Sequence, residues 1–233
     1  MRLKLMLLAS CVGATGVTAI GPAEAGGLYG SFFGGLNWSK DFKGGTSSFR
    51  SSFSTSFFNV NAHTDTGFVV GVAIGYDLSE AVMKGLRVEL EGTYRHNNLV
   101  GSFTKAGTTF FSSGTSTTAG SGDAVTWAVM ANAWYDFDLG GKLKPYVGGG
   151  IGWARNKLVP EVTAIPTVEH EDFAWQAGVG INYQFSPNAA IGLGYRYMDS
   201  GEQGSFTSFF GKTVNVGDVT HQDVILSVNY SLN

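Results

Sequence analysis

The stretch from Gly85 to His96, GLRVELEGTYRH, alternates between apolar and charged or polar residues with a period of two. That is the period of a strand, because successive side chains of an extended chain point to opposite faces. Such a strand either packs its apolar face on a soluble core, or turns it to lipid while its charges line a membrane barrel. The apolar face holds Leu86, Val88, Leu90, Gly92 and Tyr94, and the other face holds Arg87, Glu89, Glu91, Thr93 and Arg95.

Seven further segments alternate in the same way, which gives eight candidate strands. Most run to about 10 to 13 residues, close to the ~9 to 11 that a tilted strand needs to cross a bilayer. Soluble strands are typically shorter, at ~5 to 6 residues, so the lengths favour a membrane barrel. The eight segments are Leu28 to Trp38, Gly67 to Asp77, Gly85 to His96, Ala124 to Phe137, Leu143 to Ala154, Phe173 to Phe185, Ala189 to Met198 and His221 to Leu232.

The connections between these segments alternate in length. Four are long, namely Ser39 to Thr66, Asn97 to Asp123, Arg155 to Asp172 and Asp199 to Thr220, and the three between them are short. Outer-membrane barrels alternate long external loops with short periplasmic turns in this way, and aromatic residues gather near both strand ends, as at two membrane interfaces. The sequence therefore predicts an all-β fold, an eight-stranded antiparallel up-and-down transmembrane β-barrel. It has four long extracellular loops, three short periplasmic turns and both termini in the periplasm.

The first residues have the pattern of a secretory signal peptide. Arg2 and Lys4 precede an apolar run from Leu5 to Ile20, and Ala23-Glu24-Ala25 forms an A-x-A cleavage site. We expect residues 1–25 to be removed after Ala25 and residues 26–233 to form the barrel domain. A lipoprotein signal that modifies Cys11 is the alternative, but its apolar run, Leu5 to Ser10, would be short.

Composition excludes several classes of function. Cleavage after Ala25 removes Cys11, the one cysteine of the chain, so neither disulfide nor thiol chemistry is expected. The formal net charge of the whole chain is −3, which gives no support to nucleic-acid binding. Nothing in the sequence points to a cofactor.

Five motifs resemble the small outer-membrane β-barrel proteins of Gram-negative bacteria. This group contains the transmembrane domain of OmpA, the opacity proteins, and the rhizobial and Brucella-type surface antigens, and the likeness covers the whole mature chain. The motifs are Gly34-Gly35-Leu36-Asn37-Trp38, Ala131-Asn132-Ala133-Trp134-Tyr135-Asp136-Phe137, Lys144-Pro145-Tyr146-Val147-Gly148-Gly149-Gly150-Ile151-Gly152, Trp175-Gln176-Ala177-Gly178-Val179-Gly180 and Gly194-Tyr195-Arg196-Tyr197.

The resemblance implies a location and partners rather than an activity. It implies the outer membrane, contact with outer-membrane lipid and lipopolysaccharide, insertion by the barrel-assembly machinery, and loops that meet host or environmental surface ligands. Leu232 occupies the last outward position, where family members often have an aromatic residue, and no peptidoglycan-binding domain is expected. A non-enzymatic surface protein is the first hypothesis. The second hypothesis is a small porin-like or hydrophobic-solute channel, and the third is an enzyme that modifies lipid A.

Charged residues on the inward faces should meet inside the barrel. An eight-stranded barrel is just wide enough for side chains to fill it, and isolated buried charges are very costly, so we expect a self-paired network that plugs the lumen. A gated pore that opens by exchange of arginine partners, or a water-using carboxylate pair of Glu89 and Glu91, would be the sharper alternatives. The expected network is Asp77, Arg87, Glu89, Glu91, Arg95, Asp136, Arg196 and Asp223.

The four histidines, His63, His96, His170 and His221, all fall in the long connections or at their ends. We expect ordinary polar residues of the outer rim. A metal site would need three or four converging ligands, and none is predicted. Some eight-stranded barrels modify lipid A acyl chains with serine and histidine, but no spacing here is specific enough to predict that chemistry, and no catalytic residue is assigned.

Phenylalanine is unusually dense in the long connections. Ser52-Phe53-Ser54-Thr55-Ser56-Phe57-Phe58 in the first recurs as Ser205-Phe206-Thr207-Ser208-Phe209-Phe210 in the fourth. These loops either pack on one another as hairpins above the membrane or expose an apolar contact surface. The candidate contact residues are Phe53, Phe57, Phe58, Phe206, Phe209 and Phe210.

Overall fold

A computed structural model describes residues 27–39, 42–43, 47–51, 54–79, 81–109, 112–161, 167–202, 205–207, 213–215 and 218–232. The expected signal peptide and its cleavage site lie outside the described residues. No helix among the described residues is long and apolar enough to cross a membrane. The strands are β1 (Leu28–Ser39), β2 (Phe42–Lys43), β3 (Ser47–Ser51), β4 (Ser54–Thr64), β5 (Gly67–Asp77), β6 (Leu86–Thr109), β7 (Ser112–Asp136), β8 (Leu143–Pro160), β9 (Val168–Ser186), β10 (Ala189–Glu202), β11 (Ser205–Thr207), β12 (Thr213–Asn215) and β13 (Asp218–Ser231).

Eight of these strands close into a barrel. The antiparallel order is β5, β1, β13, β10, β9, β8, β7 and β6, and β6 returns to β5. β1, early in the chain, pairs with β13 along its length, from Tyr29 opposite Ser231 to Ser39 opposite His221. The predicted eight-stranded antiparallel barrel is confirmed.

The two ends of the barrel differ. At one end, which we call the turn end, residues 78–85, 137–142 and 187–188 connect neighbouring strands. At the other, the extended end, several strands continue far past the predicted segments. The stretch from Asn97 to Asp123, expected to be a loop, is largely a hairpin in which β6 and β7 pair as far as Thr109 and Ser112. Strand pairing satisfies the backbone N–H and C=O groups of this stretch. Its serine, threonine and glycine residues show no alternation of apolar and polar side chains, so the sequence did not predict strands there.

The first long connection is also built of strands. β4 pairs with the continuation of β6, from Ser54 opposite Thr109 to Thr64 opposite Leu99. β2 and β3 in turn pair with β4. The backbone of the first connection is therefore joined to that of the second at the extended end.

Apolar side chains cover the outside of the barrel and charged ones lie inside. On β6, Leu90 is 57% exposed whereas its neighbour Glu91 is 1% exposed. On β5, Val72 on the outer face is likewise 58% exposed, whereas Val69 on the inward face is fully buried. A soluble core would put the apolar face inside, so the stretch from Gly85 to His96 presents its leucines and valine to lipid.

Aromatic rings mark both ends of this apolar band. At the extended end, the rings of Tyr94 and Trp127 lie 4.6 Å apart and those of Trp175 and Tyr197 lie 5.5 Å apart. At the turn end, Tyr135 and Phe137 make an edge contact at 4.9 Å. These positions fit the two polar interfaces of a bilayer.

Candidate functional site: the barrel lumen

The layer of the lumen nearest the turn end is built around Arg87. Its side chain forms ion pairs with Asp136 on β7 and with Glu89, at 2.8 Å from Nη1 to Oε1. Tyr29 of β1 donates a hydrogen bond to the same Glu89 oxygen at 2.5 Å, and the indole of Trp134 donates to Oε2 at 2.9 Å. Three strands of the wall are thus joined through one carboxylate.

The middle layer crosses the full width of the barrel. Arg196 on β10 pairs with Glu91 on β6, with 2.5 Å between Nη1 and Oε2, and these two strands lie opposite each other in the closed order. Asn132 and Gln176 donate hydrogen bonds to the two oxygens of Glu91 at 3.0 and 3.3 Å. These hydrogen bonds offset part of the cost of burying the charge pair.

The next layer toward the extended end holds a second deeply buried pair. Arg95 on β6 contacts the Oδ2 atom of Asp223 on β13 through Nη2 at 2.8 Å and Nε at 3.1 Å. Asn37 donates to the other oxygen of Asp223 at 2.5 Å, and Thr93 accepts from Arg95 at 2.8 Å. Both charged side chains are only 1% exposed.

Seven of the eight expected network residues are therefore held in ion pairs with one another. Asp77 differs, because its carboxylate accepts a hydrogen bond from the backbone N–H of Ser79 at 2.8 Å, in the connection to β6. That contact is local to the turn. The alternation of β5 predicts only the face on which Asp77 lies, so it could not show that its carboxylate binds the turn rather than a residue across the barrel.

Large apolar and aromatic side chains fill the space between the ion pairs. The guanidinium of Arg196 lies 4.6 Å from the ring centroid of Phe33 and 5.1 Å from that of Trp134, and both rings are 1% exposed. Two buried apolar clusters line the wall beyond them. Sequence alternation places these residues on inward faces, but it gives no sign that they pack across the lumen. The clusters are Phe33, Val69 and Ile225, and Ala128, Met130, Ala154, Ala174 and Met198.

Glycines on the inward faces make room for these rings. A Cβ atom at Gly71 would lie 2.3 Å from the ring of Phe33, and one at Gly75 would lie 2.4 Å from the ring of Tyr29. The closeness shows that each ring packs against the backbone of the neighbouring strand β5, where a larger side chain would leave no room.

His221 lies inside the lumen toward the extended end, so the prediction that it is a polar residue of the outer rim is wrong. It is 2% exposed and spans opposite walls, with Nδ1 3.2 Å from Ser39 Oγ on β1 and Nε2 3.3 Å from Thr126 Oγ1 on β7. Thr126 donates its proton to Asn156 at 2.7 Å. The hydroxyl of Thr126 is therefore not directed at the imidazole, and the arrangement is a transverse polar link inside the barrel.

The other three histidines lie toward the extended end. His96 stacks on Phe68 with ring centroids 5.6 Å apart, and its Nε2 lies 3.3 Å from Asp123. His170 is half-buried on β9, and His63 lies on β4. Among the described residues, no group of three or more histidine, cysteine or acidic side chains is arranged to hold a metal ion.

The pocket of the lumen near the turn end leaves little volume for a solute. This pocket, lined by Arg87, Glu89, Trp134, Tyr146 and Arg196 among others, has a volume of about 10 Å³, which is room for about one water molecule. Both carboxylates of the alternative hydrolytic pair, Glu89 and Glu91, are occupied by the contacts above.

Three of the six phenylalanine candidates lie on described strands of the extended end. Phe57 and Phe58 belong to β4, and Phe206 lies on β11, which pairs with β12. Phe53, Phe209 and Phe210 lie outside the described residues.

Comparison with known proteins agrees with this architecture. The family model for the outer membrane protein beta-barrel domain matches residues 5–231. The chain belongs to this family. Membership confirms the resemblance predicted from the motifs and the location in the Gram-negative outer membrane, where barrels of this kind contact lipid and lipopolysaccharide.

Individual relatives of the barrel family are more distant. The chain is 29% identical over 140 residues to the outer membrane protein PagN of Salmonella typhimurium, with 57% of each chain covered. It is 33% identical over 86 residues to an uncharacterized protein of Brucella abortus, with 32% of this chain and 30% of the relative covered. The chain thus spans little more than half of the first relative and less than a third of the second.

Among solved structures, Neisserial surface protein A is similar in fold. The match covers 90% of this chain and all of that protein, with a TM-score of 0.56 and 18% identity. At this identity the likeness supports the barrel fold alone.

Proposed function

We propose that this protein is a non-enzymatic surface protein of the outer membrane, with a plugged lumen and a contact role at its extended end. The observation that carries the plug is the Arg196–Glu91 pair, which crosses between opposite walls and whose guanidinium lies against the rings of Phe33 and Trp134. A pore through such a lumen would require several buried ion pairs to open and aromatic rings to leave their positions. Buried charge pairs of this kind are costly to break.

The extended end faces the outside of the cell in this proposal. Outer-membrane barrels have short periplasmic turns and longer external segments, and the three connections of the turn end are short here. The amino end of β1 and the carboxyl end of β13 then lie on the periplasmic side. This orientation presents the paired strands β4, β6 and β7 to the environment.

The contact role rests on the phenylalanine-rich stretches at that end. Aromatic residues dominate binding energy in protein contacts because they bury large apolar area at a small entropic cost. The joined backbones of β4 and β6 support the first of these stretches on a continuous sheet. PagN and Neisserial surface protein A are named as outer-membrane and surface proteins, and we extend a surface role to this chain.

The plugged lumen predicts an absence of steady conductance. Purified chain refolded into planar bilayers should give no reproducible channel, because ion pairs and aromatic rings cross the lumen and its pocket near the turn end has room for about one water molecule. A barrel of the porin type, measured in the same bilayers, provides the positive control. A stable, reproducible conductance from the refolded chain would refute the plug and support the channel alternative.

The contact role predicts a loss of adhesion when the phenylalanines are replaced together by serine. Cells that display the variant should adhere to cultured host cells only at the background level, because the apolar contact area is removed. Replacement of Ser54 and Ser56 by alanine is the matched control in the same stretch. Unchanged adhesion of a serine variant that still shows heat-dependent electrophoretic mobility would exclude the contact role. The replaced residues are Phe53, Phe57, Phe58, Phe206, Phe209 and Phe210.

A further inference from the structure

A chain of hydrogen bonds, which we call the polar belt, crosses the lumen toward the extended end, and His221 of β13 is part of it. Its Nδ1 atom lies 3.2 Å from Oγ of Ser39 on β1, and its Nε2 atom lies 3.3 Å from Oγ1 of Thr126 on β7. Thr126 donates to Oδ1 of Asn156 on β8 at 2.7 Å, and Nδ2 of Asn156 donates to the carbonyl of Ser200 on β10 at 3.1 Å. The polar belt therefore joins five strands of the wall.

The polar belt also holds the bases of the four long connections. The fourth is held near both ends, because the hydroxyl of Ser200 near its start donates to the carbonyl of Val219 near its end at 2.9 Å. His221 directly follows its last residue, Thr220. The contact points of the first, second and third connections are Ser39, Thr126 and Asn156. Opening the belt at His221 would therefore loosen the strand ends from which these connections leave the barrel.

The direction of the hydrogen bonds assigns the tautomer of His221. Thr126 uses its proton toward Asn156, so Nε2 of the imidazole donates its hydrogen to the lone pair of Thr126. In the neutral ring Nδ1 is then an acceptor and takes the proton of Ser39. A protonated ring has two donors instead, which forces Ser39 to turn its proton to the carbonyl of Thr220, 3.3 Å away. The neutral ring therefore fits both neighbours as they stand.

The charged groups beside the imidazole are already paired with each other. Arg95 on β6 and Asp223 on β13 are the charges whose fields reach the ring. Asp223 binds Arg95 through Oδ2 and Asn37 through Oδ1, so both carboxylate oxygens are occupied. A proton on His221 would add a second cation beside Arg95 in an enclosed layer, where an unpaired charge is costly.

The other strands around the ring do not supply a carboxylate to it. The belt residues of β1, β7, β8 and β10 are uncharged by type. β9 brings two titratable residues toward this end, Asp172 and His170. A Cβ atom at Gly201 of β10 would lie 2.5 Å from Oδ2 of Asp172, and His170 pairs in register with Asn156. Both of these side chains therefore belong to the surroundings of other residues.

We propose that His221 is an acid-sensitive latch, in which the neutral ring closes the polar belt and protonation opens it and loosens the bases of the long connections. The open belt gives the imidazolium access to water, which removes the cost of burying it. Stability of the closed belt is then present at neutral pH and lost as the pH falls. The inference goes beyond the proposed contact role and depends neither on adhesion nor on the orientation of the extended end.

Hydrogen exchange of the backbone amides of residues 199–202 and 218–221, in the barrel refolded into lipid nanodiscs, tests the latch. The rates are compared as protection factors, which divide out the pH dependence of exchange itself. Because the ring takes its proton only in the open belt, where its pKa has the ordinary value of about 6.5, protection should fall about thirty-fold from about pH 8 to about pH 5.

Two variants separate His221 from other titrating groups. His221→Gln keeps one donor and one acceptor but does not titrate, so its protection factors should be equal at both pH values. His96→Gln removes a histidine of the same end that lies against Asp123, and its protection should fall as that of the wild type does. Acid-insensitive protection in the wild type, acid sensitivity that survives in His221→Gln, or its loss in His96→Gln would each overturn the latch.

Nitrogen-15 NMR of the histidine rings in the wild-type barrel provides a second test that needs no substitution at His221. In the closed barrel at about pH 6, the His221 ring should be neutral with its hydrogen on Nε2, because the belt accepts that tautomer. A ring that carries hydrogen on both nitrogens while the amides of residues 218–221 remain protected would overturn the latch even if His221→Gln failed to refold.

Discussion

Replacement of Arg196 by methionine is expected to lower the free energy of unfolding by about 3–5 kcal/mol, because it leaves the carboxylate of Glu91 buried without its cation. The side chains of Arg196 and Glu91 are 8% and 0% exposed. Asn132 and Gln176 would remain as hydrogen-bond donors to that carboxylate, but neither supplies a charge. Urea unfolding of the refolded barrel, followed by tryptophan fluorescence, measures the loss.

Two further variants test whether the loss of stability comes from the buried unpaired charge or from replacing any charged residue by methionine. Lys84→Met breaks the exposed pair with Asp138 at the turn end and should leave the unfolding transition unchanged, since exposed ion pairs contribute little. Adding Glu91→Gln to Arg196→Met removes the unpaired charge and should recover most of the loss. If Arg196→Met unfolded at the wild-type urea concentration, the pair would not be part of the barrel's stability.

Replacement of Trp134 by alanine is expected to cost about 3–5 kcal/mol, because it empties a site inside a lumen that is filled by side chains. Trp134 is 1% exposed, donates a hydrogen bond to Glu89, and makes an edge contact with Tyr146 at 5.6 Å. Its loss removes this packing and one hydrogen bond to a buried carboxylate. The same urea unfolding experiment measures the change.

Trp153→Ala provides the matched control for this prediction. Trp153 is 71% exposed on the outer surface, where lipid can occupy the space that a smaller side chain leaves. We expect a clearly smaller loss of stability than for Trp134→Ala. Equal losses for the two variants would show that the lumen is no better packed than the lipid-facing surface, and would weaken the case for a plug.

Sequence alone determined the barrel, its number of strands and the two faces of each strand. The stretch from Gly85 to His96 shows why, because its period of two separates Leu90 from Glu91 without any knowledge of their neighbours. Segment length then favoured a bilayer over a soluble core. These properties are local to each strand, so they are readable one segment at a time.

Only the tertiary structure decided which luminal residues meet. Arg95 is 128 positions from its partner Asp223, and Arg196 is 105 positions from Glu91, so the pairing depends on the register and closure of all eight strands. Closure of the barrel also places His221, predicted on the rim, between opposite walls of the lumen. Pairing of β6 with β7 makes most of the stretch from Asn97 to Asp123 a hairpin rather than a loop. Alternation specifies which way a side chain points, but the distance across the lumen and the partner on the far wall exist only once the barrel is closed.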